Sequence, residues 1–100
     1  MSVIVDMSIF PLDKGVELSD SVARAVKVIR ESGLPHVFGP MGTSIEGEWN
    51  QVMEVVDACM QEMKSDSDRV YMSLKVDYRK GRQDGLKQKV RSVEAKLKDV

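Results

Sequence analysis

The sequence predicts an α+β domain of the ferredoxin-like kind: a βαββαβ antiparallel sheet with two helices on one face, plus an extra C-terminal helix. Three observations carry that expectation. Segments near the start and in the last third of the chain alternate with the period of two that strands require. Two further segments repeat apolar residues at helical spacing. Turn-forming glycines, prolines and small polar residues separate these pieces in the order strand, helix, strand, strand, helix, strand.

In residues 2–10, Val3, Val5, Met7 and Ile9 point one way, and Ser2, Ile4, Asp6, Ser8 and Phe10 the other. Pro11 cannot donate to a ladder, so the strand is expected to stop there. A helix follows over about Asp20 to Ser32, with Ser19 as its N-cap and Glu17 and Asp20 at the positive end of its dipole. Its predicted apolar stripe is Val22, Val26 and Ile29, with Ala25 beside it. Gly33 suits a left-handed C-terminal cap, and Pro35 prevents continuation. Two short strands, His36 to Pro40 and Thr43 to Glu46, flank a turn at Gly42. They form either a tight hairpin or one bent ribbon.

A second helix is predicted over about Glu48 to Lys64, with Trp49, Val52, Met53, Val56, Met60 and Met63 on its apolar stripe. After a polar loop at 65–68, Arg69 to Arg79 is the longest strand. Val70, Met72, Leu74, Val76 and Tyr78 face the helices; Tyr71, Ser73, Lys75, Asp77 and Arg79 face away. The last helix starts near Asp84, and Leu86, Val90, Val93 and Leu97 make a seam narrower than a core-helix face. Residues 1–100 read as one domain, of which 80–100 are linker and extra helix.

The sheet face away from the helices is mixed in character. It suits either a half-solvated surface with cross-strand charge pairs or self-association through that face or a sheet edge. The narrow seam of the last helix covers either its own domain or a neighbour.

Composition excludes several classes. With 42% hydrophobic and 31% charged residues, the chain is no disordered segment. Fifteen basic against sixteen acidic residues give a net charge of −1, which argues against nucleic acid as a partner. Lys87, Lys89, Arg91, Lys96 and Lys98 are interleaved with Asp84, Glu94 and Asp99, as on a solvated helix face. No apolar run approaches the ~20 residues of a membrane span. The N-terminus reads as a strand, not a signal peptide. One cysteine, Cys59, rules out an intramolecular disulfide, and a reduced, cytoplasmic setting is expected.

Little in the chain supports catalysis. His36 is the single histidine, so no His-rich metal site can form. Cys59 lies on or beside an apolar helix stripe, where thiols are structural. No Gly-Lys-Ser/Thr phosphate loop occurs, and no cofactor is required. The segment from Pro40 to Trp49 is the most suggestive. It gathers Thr43, Glu46 and Glu48 with Gly42 and Gly47 around a turn into a helix. Two nearby carboxylates could hold a cation or accept ligand N–H groups. Alternatively, Glu48 is a favourable charge at a helix N-terminus and Glu46 a solvated strand residue. Met41, in the turn, could line a pocket.

Several motifs together resemble the YkoF-like thiamine-binding family. They are Ser8 to Pro11, Ser32 to His36, Pro40 to Glu48, and Arg69 to Arg79 with its Lys-Val-Asp-Tyr-Arg end. The likeness runs from about Val3 to Lys98 and is most specific in Gly-Thr-Ser-Ile-Glu-Gly-Glu. It implies a non-catalytic, ferredoxin-like binder of thiamine or a related pyrimidine/thiazolium compound. It also implies a homo-oligomer, dimer or tetramer, with ligand near a subunit interface. Thr43, Glu46 and Glu48 occupy the family motif and would bind the ligand; Ser8 and Asp77 match its strand-end positions. Met41 stands where many members carry an aromatic ring. Phe38, Trp49 or Tyr71 could stack on a ligand ring. The competing expectation is a structural or regulatory homo-oligomerisation module with no small-molecule ligand.

Overall fold

The computed structural model describes residues 2–98. The elements are β1 (Ser2–Pro11), α1 (Ser19–Glu31), β2 (His36–Phe38), β3 (Thr43–Gly47), α2 (Trp49–Lys64), β4 (Val70–Arg79) and α3 (Gly85–Leu97). The strands form one antiparallel sheet in the order β2-β3-β1-β4. This is the expected ferredoxin-like arrangement, with the third helix appended.

β1 pairs with β3 on one side and β4 on the other, and its inward face is wholly apolar. Val3, Val5, Met7 and Ile9 join Ile45 of β3 against Ala25 and Ile29 of α1 and Val52, Val56, Cys59 and Met63 of α2. Register places Val5 between Ile45 and Val76, so the inward residues of three strands share one face. Arg24 ties the two core helices together. Its guanidinium donates to the Glu62 carboxylate at 3.0 Å, to Asp66 at 2.9 Å and to the Glu62 carbonyl at 2.7 Å near the end of α2.

β1 does end at Pro11, as expected; the proline is its last residue, opposite Val70, where the missing N–H costs little. Several other local expectations are corrected. The N-cap of α1 is Leu18, not Ser19, and no side chain caps it. The helix turns Ser21, Ala25 and Ile29 to the core, leaving Val22 and Val26 half-buried at its flank. Small residues let α1 lie close to the sheet. β2 ends at Phe38, and β2 and β3 pair as a hairpin, with Gly39 N–H donating to the Gly42 carbonyl at 2.8 Å. On α2, Trp49 stays half-exposed outside the core, while Val55 and Cys59 are buried.

β4 departs most from its expected pattern. Its inward residues Leu74, Val76 and Tyr78 are exposed, because the helices cover the sheet only as far as Val70 and Met72. On the opposite face, α3 packs at its N-terminal end only. Gly85 is buried against Ile4, whereas Val90, Val93 and Leu97 remain exposed. Asp84 is the N-cap residue as expected, but in a left-handed conformation (φ 52°) and without a side-chain cap.

Candidate ligand-binding site

A cavity of about 370 Å³ opens between α1, the β2–β3 turn and the far half of β1. That size lies within the ~300–1,000 Å³ usual for small-molecule sites. The strand lengths create it. β3 pairs with β1 only from Val3 to Met7, while β4 accompanies β1 to Pro11. From Ser8 onward, β1 therefore has no strand neighbour on its β3 side, and its backbone borders the cavity. Thr43, the first residue of β3, is buried opposite Phe38 on the helix side of the sheet. Val22, Val26 and Leu18 form the helical wall. Phe38 (55% exposed) and Met41 (86% exposed) stand at the rim.

Gly42 sets the height of that rim. A Cβ there would lie 2.9 Å from the Met7 carbonyl oxygen, closer than real contacts allow. The glycine lets the turn lie on the β1 backbone and brings Thr43 into register.

Four of the seven residues expected from sequence thus border one cavity: Ser8, Phe38, Met41 and Thr43. The Thr43 hydroxyl and the Ser8 backbone supply donor and acceptor capacity to an otherwise apolar lining.

The other three lie elsewhere. Glu46 points to the opposite sheet face and is 5% exposed. Its carboxylate accepts the backbone N–H of Gly85 at 2.6 Å and of Leu86 at 3.3 Å, and the Ser2 hydroxyl at 3.3 Å. Glu46 therefore supplies the N-terminal cap that Asp84 does not give α3. Its burial sets aside the solvated-strand alternative. Glu48 forms a capping box with Gln51 at the start of α2, the role the architectural alternative foresaw. Because β3 ends at Gly47, Glu46 and Glu48 do not share a strand face.

Asp77 accepts Arg82 at 3.1 Å and also binds the Lys89 ammonium. Lys89 and then Arg82 hold its carboxyl below the usual range. Arg82 also donates to the Asp77 carbonyl at 2.8 Å. Asp77 and Glu46 together fasten the start of α3 and the loop before it to the sheet.

Trp49 and Tyr71 also stand away from the cavity lining; Tyr71 instead stacks on Phe10, ring centroids 5.6 Å apart. Cys59 is buried beneath α2, and burial pushes its thiol up to about 11, so it stays protonated near neutral pH. Among the described residues, no group of three or more His, Cys, Asp or Glu side chains converges as a metal site. No described helix is long and apolar enough to cross a membrane.

Sequence reasoning missed the helical wall of the cavity. Val22 and Val26 read as core because their spacing is helical. The available signal was Ser21 and Ala25, which with Ile29 form an equally periodic line of smaller residues.

Comparison with known proteins gives a consistent picture. Residues 5–94 match a family described as "Thiamine-binding protein". The chain is 41% identical over 98 residues to a UPF0045 protein of Mycobacterium tuberculosis, spanning 97% of this chain and 96% of that one. It is 37% identical over 100 residues to a UPF0045 protein of Synechocystis sp., spanning 99% and 83%. A hypothetical protein of Methanocaldococcus jannaschii has the same fold, with a TM-score of 0.87 at 30% identity over 93% of this chain and 96% of that one. A Thermotoga maritima protein proposed to act in thiamine biosynthesis or salvage reaches a TM-score of 0.80 at 23% identity, over 92% and 99%. At that identity the last likeness bears on fold alone.

Proposed function

The chain belongs to the thiamine-binding protein family, and from that premise we propose that it binds thiamine or a related pyrimidine without turning it over. The ligand occupies the cavity between α1 and the β2–β3 turn. The observation that carries this reading is the convergence there of Ser8, Met41 and Thr43 from the motif stretches with Phe38 of β2, four residues from three separate segments. Phe38 offers a ring face, Met41 an adaptable apolar cover, and the Thr43 hydroxyl with the Ser8 backbone polar partners for ring nitrogens. Glu46, Glu48 and Asp77 act in this reading as architectural residues that position α3 and α2.

The protein works as a homo-oligomer. The exposed Leu74, Val76 and Tyr78 on the edge strand β4 support this assembly, because an open, apolar strand edge favours pairing with another chain.

A thermal-shift titration with thiamine, its phosphates and its pyrimidine half tests the binding reading. Ligand that binds only the folded state raises the melting temperature by mass action. A saturable rise that Thr43→Val diminishes is the expected result. A flat response to every compound overturns the reading and leaves a homo-oligomerisation module in its place.

A further inference from the structure

Within the cavity reading above, on which this inference rests, we propose that the site selects an uncharged aromatic heterocycle carrying an anionic tail, specifically a pyrimidine phosphate ester, over a cationic thiazolium.

The cavity does not end at Phe38. On the far side of that ring a second hollow of about 350 Å³ runs along α1. The two share Val22, Val26 and Phe38 as walls, so they form one groove divided by the Phe38 ring. The second hollow is edged by Ser19, Lys27 and Arg30. Among the described residues of both linings the only charged side chains are those two cations, with no carboxylate.

This charge distribution decides between ligand forms. Moving a permanent cation into an apolar cavity costs its hydration, and no carboxylate in this lining returns it. The two carboxylates expected from sequence to hold a cation are committed elsewhere, Glu46 to α3 and Glu48 to the start of α2, and Asp77 is bound to Arg82 and Lys89. A neutral pyrimidine loses less on transfer and meets the Thr43 hydroxyl and the β1 backbone at Ser8. A phosphate on its methylene arm, passing Phe38, reaches the cationic edge.

Arg30 makes no ion pair among the described residues, so its five guanidinium donors are available to phosphate oxygens. Lys27 makes only an exposed 3.9 Å pair with Glu31, too weak to hold it from a phosphate. Arg30 also lies in the last turn of α1, where a cation offsets the helix dipole. That structural role would alter the melting temperature without ligand, but not the ranking of ligands.

Calorimetric titration of the full chain with three probes tests the proposal: thiamine, the hydroxymethyl aminopyrimidine, and the phosphate ester of the latter. The wild type should bind the ester roughly tenfold or more tightly than the alcohol, as a charge-assisted pair warrants. In Lys27→Gln/Arg30→Gln that ratio should collapse to near one, with a melting temperature recorded alongside to verify folding. If the ester binds no better than the alcohol, or the ratio survives in the double variant, the phosphate subsite is wrong while the cavity reading stands. Thiamine binding more tightly than the ester would overturn the charge argument in the same way. If none of the three binds, the cavity reading itself fails and takes the subsite with it.

Discussion

At the scale of single residues, position within the sheet decides what each carboxylate does. Glu46 is adjacent to the core yet faces the side covered by α3, so its charge is satisfied by two N–H groups at a helix N-terminus. Removing it strands those donors. Glu46→Ala is expected to cost about 2 kcal/mol and lower the melting temperature by roughly 8–16 °C, as read by calorimetry. A companion variant, Glu46→Gln, separates architecture from ligand contact: retained affinity keeps Glu46 outside the binding site, whereas lost affinity at an unchanged melting temperature returns it there. Gly42 is equally constrained, since a methyl group there meets backbone that cannot swing aside. The motif glycine and the motif glutamate were both legible as special residues in the sequence. Their reasons were not, because a close approach to Met7 and a cap on a helix 39 residues away are non-local facts.

At the scale of elements, α1 and β4 show how packing overrides periodicity. α1 carries two overlapping apolar lines, and the sheet selects the one with smaller side chains. Ala25→Leu is therefore expected to lift the helix and destabilise the fold by about 1–3 kcal/mol, measurable by urea unfolding. A Leu accommodated without loss would mean that α1 does not sit on its small residues. β4 alternates as an inward-facing strand should, yet α1 and α2 are too few to cover its second half. In the proposed homo-oligomer, its exposed row is the surface that meets a second copy of the chain. Val76→Lys should break that association, since lysine on a strand edge opposes pairing. Sedimentation would then report a smaller species than the wild type at equal concentration; identical masses would remove β4 from the interface.

At the scale of the whole molecule, the chain is extended for its size. Its radius of gyration is 15.0 Å, against ~13 Å for a typical chain of this length, in keeping with an α3 exposed along most of its length beyond its anchored start. The anchor should respond to acid. Lys89 and Arg82 lower the Asp77 pKa in the folded state, so its stabilising contribution is full above the unfolded carboxylate value of ~3.9. That contribution is lost as pH falls through the lower folded value. Hydrogen exchange in α3 is expected to quicken as pH drops below about 4, after correction for intrinsic rates, and Asp77→Asn should abolish the response. By itself the sequence determined the order of the elements, the antiparallel sheet and the segment that forms the rim of the cavity, because alternation, helical spacing and turn residues act over a few positions. Only the tertiary structure decided which expected residues meet. Ser8, Phe38, Met41 and Thr43 converge because β1 outruns β3 beside α1. Glu46 and Asp77 part from them because the side chains of a strand alternate between faces and α3 claims the opposite one. Strand length mismatch and helix placement arise from packing between distant segments, which no local pattern encodes.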